Sequence, residues 1–222
     1  NSPNFDSRRA GSQELKIYMM SPHLNNCNAI NEISAIIETI LISNDLSSQP
    51  FKVVANLPYY ITTPIIMNFL ENQYPYISIT VMIQQEVARR MTAQPGSKEY
   101  GSLSVAVQFY TQPRLICKVP ASVFIPRPNV DSMVITLEKR SKPAVDVVSV
   151  PYFFQVVKAV FAQRRKTLLN TLVAADITGL DKAALAKKLI SLDIDPRRRG
   201  ETLTLGELAS ISNQTGNHTP LV

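Results

Sequence analysis

The stretch Val53-Val54-Ala55-Asn56-Leu57-Pro58-Tyr59-Tyr60 decides how the chain is read. Residues 51–55 form a short apolar, partly β-branched run that predicts a buried strand, and the run stops abruptly at Asn56-Leu57-Pro58-Tyr59. Each of these four residues suits a site for a planar amine. Asn56 offers a side-chain carbonyl and tolerates the bent backbone of a strand end. Leu57 precedes a proline and is biased toward an extended backbone. Pro58 has a fixed φ and no N–H, which leaves nearby carbonyls freer to accept hydrogen bonds from a ligand. Tyr59 supplies a flat ring for a stacked base, worth about 1–3 kcal/mol.

Working outward, Thr63-Pro64 opens a predicted helix over 63–71 as N-cap and N1, with Ile65, Ile66, Phe69 and Leu70 on its apolar face. Residues 77–83 read as a parallel strand, and 84–93 as a helix whose Glu86, Arg89 and Arg90 are solvated or paired. Pro95-Gly96-Ser97 ends it. Residues 102–109 and 115–119 are strand-like, joined by a turn around Gln112-Pro113. This alternation predicts an α/β sheet covered by helices. Next comes Phe124-Ile125-Pro126-Arg127-Pro128-Asn129-Val130-Asp131-Ser132, where two prolines stiffen an extended loop that can hold Phe124 in place. A strand over 133–137 follows. Upstream, 30–42 has helical spacing, while the rest of 1–50 is loop-like.

Residues 139–150 read as a linker, and beyond them the pattern is wholly helical. Phe153, Val157, Phe161, Leu168 and Leu172 predict one helix with Arg164-Arg165-Lys166 on its exterior. Asp181 can cap a second helix bearing Leu185, Leu189 and Leu192. Arg197-Arg198-Arg199-Gly200 is a basic turn, and Thr204-Leu205-Gly206-Glu207 is a capping box for a last helix to about Ser212.

At 222 residues the chain holds one large domain or a domain with an appendage. No apolar run approaches the roughly 18 residues of a membrane span. Cys27 and Cys117 have no metal-ligand spacing, and only two histidines exist, so no metal or histidine-based mechanism is expected. A reduced, cytoplasmic setting follows from the cysteine usage. The net charge is +6, and it is localised: residues 151–200 hold ten Lys/Arg against four Asp, while the remaining 172 hold thirteen of each sign. That segment is the part of the chain suited to a polyanion.

Four segments, in order, resemble the ribosomal RNA adenine dimethyltransferases. They are Asn56-Leu57-Pro58-Tyr59, the Phe124 to Ser132 segment, residues 161–168 and Arg199-Gly200-Glu201-Thr202-Leu203. The resemblance covers roughly residues 50–212 and points to the small-subunit branch. It implies an α/β fold, a partial Rossmann-like class I methyltransferase sheet with a C-terminal all-helical domain. The expected divisions are an atypical segment 1–50, a catalytic region 51–140 and an RNA-binding domain 151–212. It implies S-adenosylmethionine as cofactor, Asn56, Leu57, Pro58, Tyr59 and Phe124 at the reacting base, and Asn56 also toward the cofactor. Arg164, Arg165, Lys166, Arg197, Arg198 and Arg199 would meet phosphates.

The substrate implied is two adjacent adenosines near the 3′ end of small-subunit ribosomal RNA, each converted to dimethyladenosine within the 30S particle by a monomeric enzyme. Two alternatives stay open: an inactive fragment that binds the RNA or ribosome, and a resistance-type (Erm-type) enzyme acting on large-subunit RNA, which shares the tetrapeptide. Cofactor binding by a fold of this kind needs a glycine-rich turn, because glycine lets backbone approach a ligand closely. Before Gly96 the only glycine is Gly11, and no Gly-x-Gly occurs. A truncated or rearranged N-terminal half is therefore expected.

Overall fold

The computed structural model describes the backbone of residues 13–18, and residues 49–57, 59–72 and 74–216. The described residues form two compact units, one reaching to Gln84 and including Ile116–Lys139, the other Gln85–Leu115 with Arg140 onward. The helix expected over 30–42 lies outside the described residues.

The first unit is built on a sheet. Strand β1 (Gln13–Tyr18) runs parallel to β2 (Phe51–Asn56), and β2 runs parallel to β3 (Tyr76–Gln84). Strand β5 (Ser132–Lys139) is antiparallel to β3, and β4 (Thr111–Val119) completes the order β1-β2-β3-β5-β4. The α/β class and the parallel placement of β3 agree with the sequence; β1 gave no signal there. Period-2 alternation sets one buried face. Val53 pairs with Ile79 and Ile79 with Leu137, and the row Ala55, Val81, Ile135 repeats this two residues on. All six are buried. Helix α1 (Thr62–Glu71) buries Ile65, Ile66, Phe69 and Leu70. It starts earlier than predicted, with Ile61 rather than Thr63 at the N-cap, and Pro64 falls in the first turn, where its missing N–H costs nothing.

The second unit is helical. It contains α2 (Gln85–Thr92), α3 (Ser102–Tyr110), α4 (Val150–Phe161), α5 (Leu168–Ala175), α6 (Lys182–Ser191) and α7 (Leu205–Thr215). Residues 102–109, expected as a strand, are helical. Val105, Val107 and Phe109 imitate a period of two, but residues 103–107 and Phe109 are all buried, so no polar face betrays the 3.6-residue repeat. Tertiary bonds secure it: Ser104 Oγ donates to the Arg90 carbonyl at 2.5 Å, and Gln108 Nε2 to those of Met91 (3.1 Å) and Ala93 (2.8 Å). Phe109 stacks on Phe153 with centroids 5.0 Å apart, at the centre of a core shared with Val156, Val160, Leu172, Leu189 and Ile211.

The single helix expected across Phe153 to Leu172 is two, α4 and α5, separated by 162–167. The break is stabilised from a distance. The Leu168 N–H donates to the Arg198 carbonyl at 2.7 Å and the Leu169 N–H to that of Pro196 at 3.1 Å, which satisfies donors that a continuous helix would have turned inward. The caps at Asp181 and Thr204 are present: Asp181 Oδ1 accepts from Ala184 N–H at 2.8 Å, and Thr204 and Glu207 form the reciprocal box. Strand β4 begins four residues before its predicted start.

Candidate base pocket and nucleic-acid interface

The tetrapeptide emerges where parallel strands end at their carboxyl edge, the usual ligand edge of an open α/β sheet. Asn56 closes β2: its backbone stays in register with Met82, while its side chain is exposed. Leu57 turns inward and is 3% exposed, which fixes the backbone that carries its carbonyl. Pro58 lies outside the described residues. Tyr59 is half-buried, and its hydroxyl lies 2.8 Å from Ser132 Oγ.

Ser132 opens β5 opposite Gln84, the last residue of β3. One bond thus joins the end of the first motif to the end of the second. The second motif is cinched at its base. Asp131 Oδ1 accepts the Ala121 N–H at 2.9 Å, and Asp131 Oδ2 meets Lys118 Nζ at 2.7 Å. The Lys118 ammonium, then the Ala121 amide, hold the Asp131 carboxyl below the usual carboxylate range. Within this closed segment Phe124 is half-buried, with its N–H on the Ala121 carbonyl at 3.3 Å. Sequence reasoning named Ser132 and Asp131 only as letters of a motif. Their bonds make them the residues that position it.

In the helical unit the two basic segments are neighbours, because the α5 N-terminus bonds the Pro196 and Arg198 carbonyls. The six cations differ in what they do. Arg164 Nη2 donates to the carbonyls of Lys98 (2.6 Å) and Tyr100 (2.9 Å). Arg197 pairs with Asp195 at 3.3 Å. Arg198 forks onto both oxygens of Glu207 and also donates to the Thr202 carbonyl at 2.7 Å. Burial raises the Glu207 carboxyl, but the Arg198 guanidinium and Thr204 outweigh it and hold the group below its ordinary value. Arg165, Lys166 and Arg199 are exposed and, among the described residues, have no side-chain partner.

For S-adenosylmethionine the described residues are a poor fit. The described residues of the sheet unit include no glycine. In the helical unit, a Cβ at Gly96 or Gly101 would meet nothing within 4 Å, so neither marks a cradle, and the close approach at Gly200 is to Val160 of the protein's own core. Asn56, expected to face the cofactor, ends β2 with its side chain exposed. Among the described residues no group of His, Cys, Asp and Glu could hold a metal, and no helix is long and apolar enough to cross a membrane.

A family model for ribosomal RNA adenine dimethylase matches residues 18–210. The chain is 49% identical over 197 residues to ribosomal RNA small subunit methyltransferase A of Geobacillus sp. (strain WCH70), covering 87% of this chain and 67% of that protein. It is 48% identical over 193 residues to the protein of that name in Bacillus mycoides (strain KBAB4), covering 85% and 66%. The chain thus spans about two thirds of the length of these relatives. Among solved structures it is similar in fold to a dimethyladenosine transferase from Plasmodium falciparum (TM-score 0.63, 22% identity, 72% of this chain and 64% of that one). It is also similar to the 23S rRNA methyltransferase ErmE (TM-score 0.60, 18% identity, 91% and 82%).

Proposed function

Since the chain belongs to the ribosomal RNA adenine dimethylase family, we propose that it dimethylates the exocyclic amines of two adjacent adenosines near the 3′ end of small-subunit ribosomal RNA. The observation that carries this reading is the 2.8 Å contact between Tyr59 and Ser132, which ties the two motifs of the base pocket together. S-adenosylmethionine would supply each methyl from its sulfonium, leaving as the neutral thioether while the methylated amine gives up a proton to solvent, so no strong base is required. The chain's own residues act on the amine. Its lone pair is delocalised into the purine, and acceptance of its protons by Asn56 Oδ1 and the Leu57 carbonyl favours a pyramidal, nucleophilic nitrogen. The target base has to leave its stack, and the rings of Tyr59 and Phe124 offset the stacking it loses. Residues 51–140 carry this chemistry, and the basic segments of 151–212 position the RNA through phosphates without reading sequence. The working form is a cytoplasmic monomer on the 30S particle.

The test is incubation with labelled S-adenosylmethionine and small-subunit particles that lack dimethyladenosine, with the RNA read by primer extension and mass spectrometry. The expected result is dimethyladenosine at two adjacent positions; methylation confined to large-subunit RNA, or none at all, counts against it. The lack of a glycine cradle among the described residues favours a second reading, a module that binds the RNA without transferring methyls. Retained RNA binding with no incorporated label, together with no heat on titration with S-adenosylmethionine, would establish that one.

A further inference from the structure

The segment that holds Phe124 also carries an apolar tip that no step above uses. Ile125 is 100% exposed, Val123 64% and Val130 44%. Single exposed aliphatic residues are common on protein surfaces. Three within eight residues, one of them wholly exposed, on a segment closed by Asp131 and stiffened by Pro126 and Pro128, are a different matter. A bare isoleucine gains nothing for the fold, and it is placed directly after the ring proposed to receive the target base. Removing a base from a stack leaves a gap whose two faces are apolar, and proteins that unstack nucleic acids fill such gaps with aliphatic or aromatic wedges. The exposed Arg127 two residues on supplies a cation for the adjoining phosphate.

We infer that Ile125 is a wedge: its side chain enters the RNA stack at the place vacated by the target adenosine and packs against the neighbouring base, holding the target in the pocket. This rests on the proposed function, since it presupposes an adenosine drawn out of its stack. Ile125 is a positioning residue, not a catalytic one, because it acts on the neighbouring base and not on the reacting amine.

The experiment uses the full chain and an RNA hairpin of the small-subunit 3′ end with 2-aminopurine in place of the second of the two adenosines. That fluorophore brightens when it loses its stacked neighbour, and an aliphatic contact does not quench it. The unsubstituted protein should raise its emission several-fold. Ile125→Ser should abolish the rise while leaving the phosphate-driven affinity within about threefold, and Ile125→Leu should restore it. A rise undiminished in Ile125→Ser overturns the wedge alone. No rise with the unsubstituted protein bound to the RNA overturns the wedge together with the base-flipping function on which it rests. Because the Ile125 side chain is wholly exposed, the substitution leaves the fold intact.

Discussion

The Tyr59 hydroxyl lies 2.8 Å from the Ser132 hydroxyl, across 73 residues of sequence. That bond joins the two motifs proposed to hold the target base, and it separates two roles that a single aromatic residue would otherwise confound. Tyr59→Phe keeps the stacking face and loses the tie. The expected cost is about 0.5–1.5 kcal/mol of stability, read by urea unfolding, with base stacking retained. Tyr59→Ala removes both, and RNA affinity should fall by a further factor consistent with about 1–3 kcal/mol of stacking.

Asn56 offers a cleaner separation because its side chain is exposed and supports no part of the core. Asn56→Ala should leave thermal unfolding within about 0.5 kcal/mol of the parent. RNA binding should be nearly unchanged. Methyl transfer should fall by about a hundredfold or more, the loss expected when one preorganised acceptor is removed from a reacting centre. Undiminished transfer in this variant would remove Asn56 from the chemistry.

The basic segments divide into structural and free cations, and that division is testable. Alanine at Arg165, Lys166 and Arg199 should lower the slope of log affinity against log salt by about 0.7–0.9 for each phosphate no longer neutralised, with Tm unchanged. Arg198→Ala should do the reverse. It releases Glu207 and the Thr202 carbonyl, so stability should drop by about 1–3 kcal/mol while the salt slope changes little. Equal slopes for the two sets of variants would show that the split by hydrogen bonding has no bearing on RNA.

These divisions also mark what could be read from residues alone. Strand β2, the cap at Asp181 and the box at Thr204 and Glu207 were legible because each is decided within a few residues. The two motifs proposed to hold the base could be picked out by resemblance, but the bond that joins them could not. Helix α3 was misread because a helix buried on nearly every side shows no polar stripe. The break between α4 and α5 was invisible because the carbonyls that stabilise it, of Pro196 and Arg198, come from about thirty residues downstream. Likewise Arg164 and Arg165 are the same residue type side by side, and only the fold sends one to the Lys98 and Tyr100 carbonyls and leaves the other in solvent.

Gly200 is part of the same packed turn. A Cβ placed there would collide with Val160 Cγ1 and lie 2.6 Å from the Val160 carbonyl oxygen, which is backbone of α4 and cannot swing away. Gly200→Ala should therefore destabilise by about 1–3 kcal/mol through overpacking, measured as a lowered Tm. The free cation at Arg199 would be displaced with the turn, so RNA binding should weaken in parallel. Gly206→Ala is the control: its nearest atom, Thr204 Oγ1, is 3.9 Å from the added carbon, and little change is expected.

Tyr100 supplies a pH dependence of definite sign. Its ring is fully buried, its hydroxyl has no hydrogen-bond partner among the described residues, and burial followed by the nearby Glu207 carboxylate pushes the phenol up to about 12 from 10.0. Between those two values the unfolded chain gives up this proton and the folded chain keeps it. The contribution to stability is thus complete below pH 10.0 and is lost as pH rises toward about 12. Tyr100→Phe should flatten that alkaline decline relative to the parent in urea unfolding series. At neutral pH it should cost less than about 1 kcal/mol, or stabilise, because the hydroxyl it removes is buried without a partner. In ultraviolet titration of the folded proteins, the phenolate present in the parent and missing from Tyr100→Phe should form above pH 10.0. If instead that phenolate forms near pH 10.0 with the fold intact, burial and the Glu207 carboxylate do not hold the Tyr100 proton as the geometry requires.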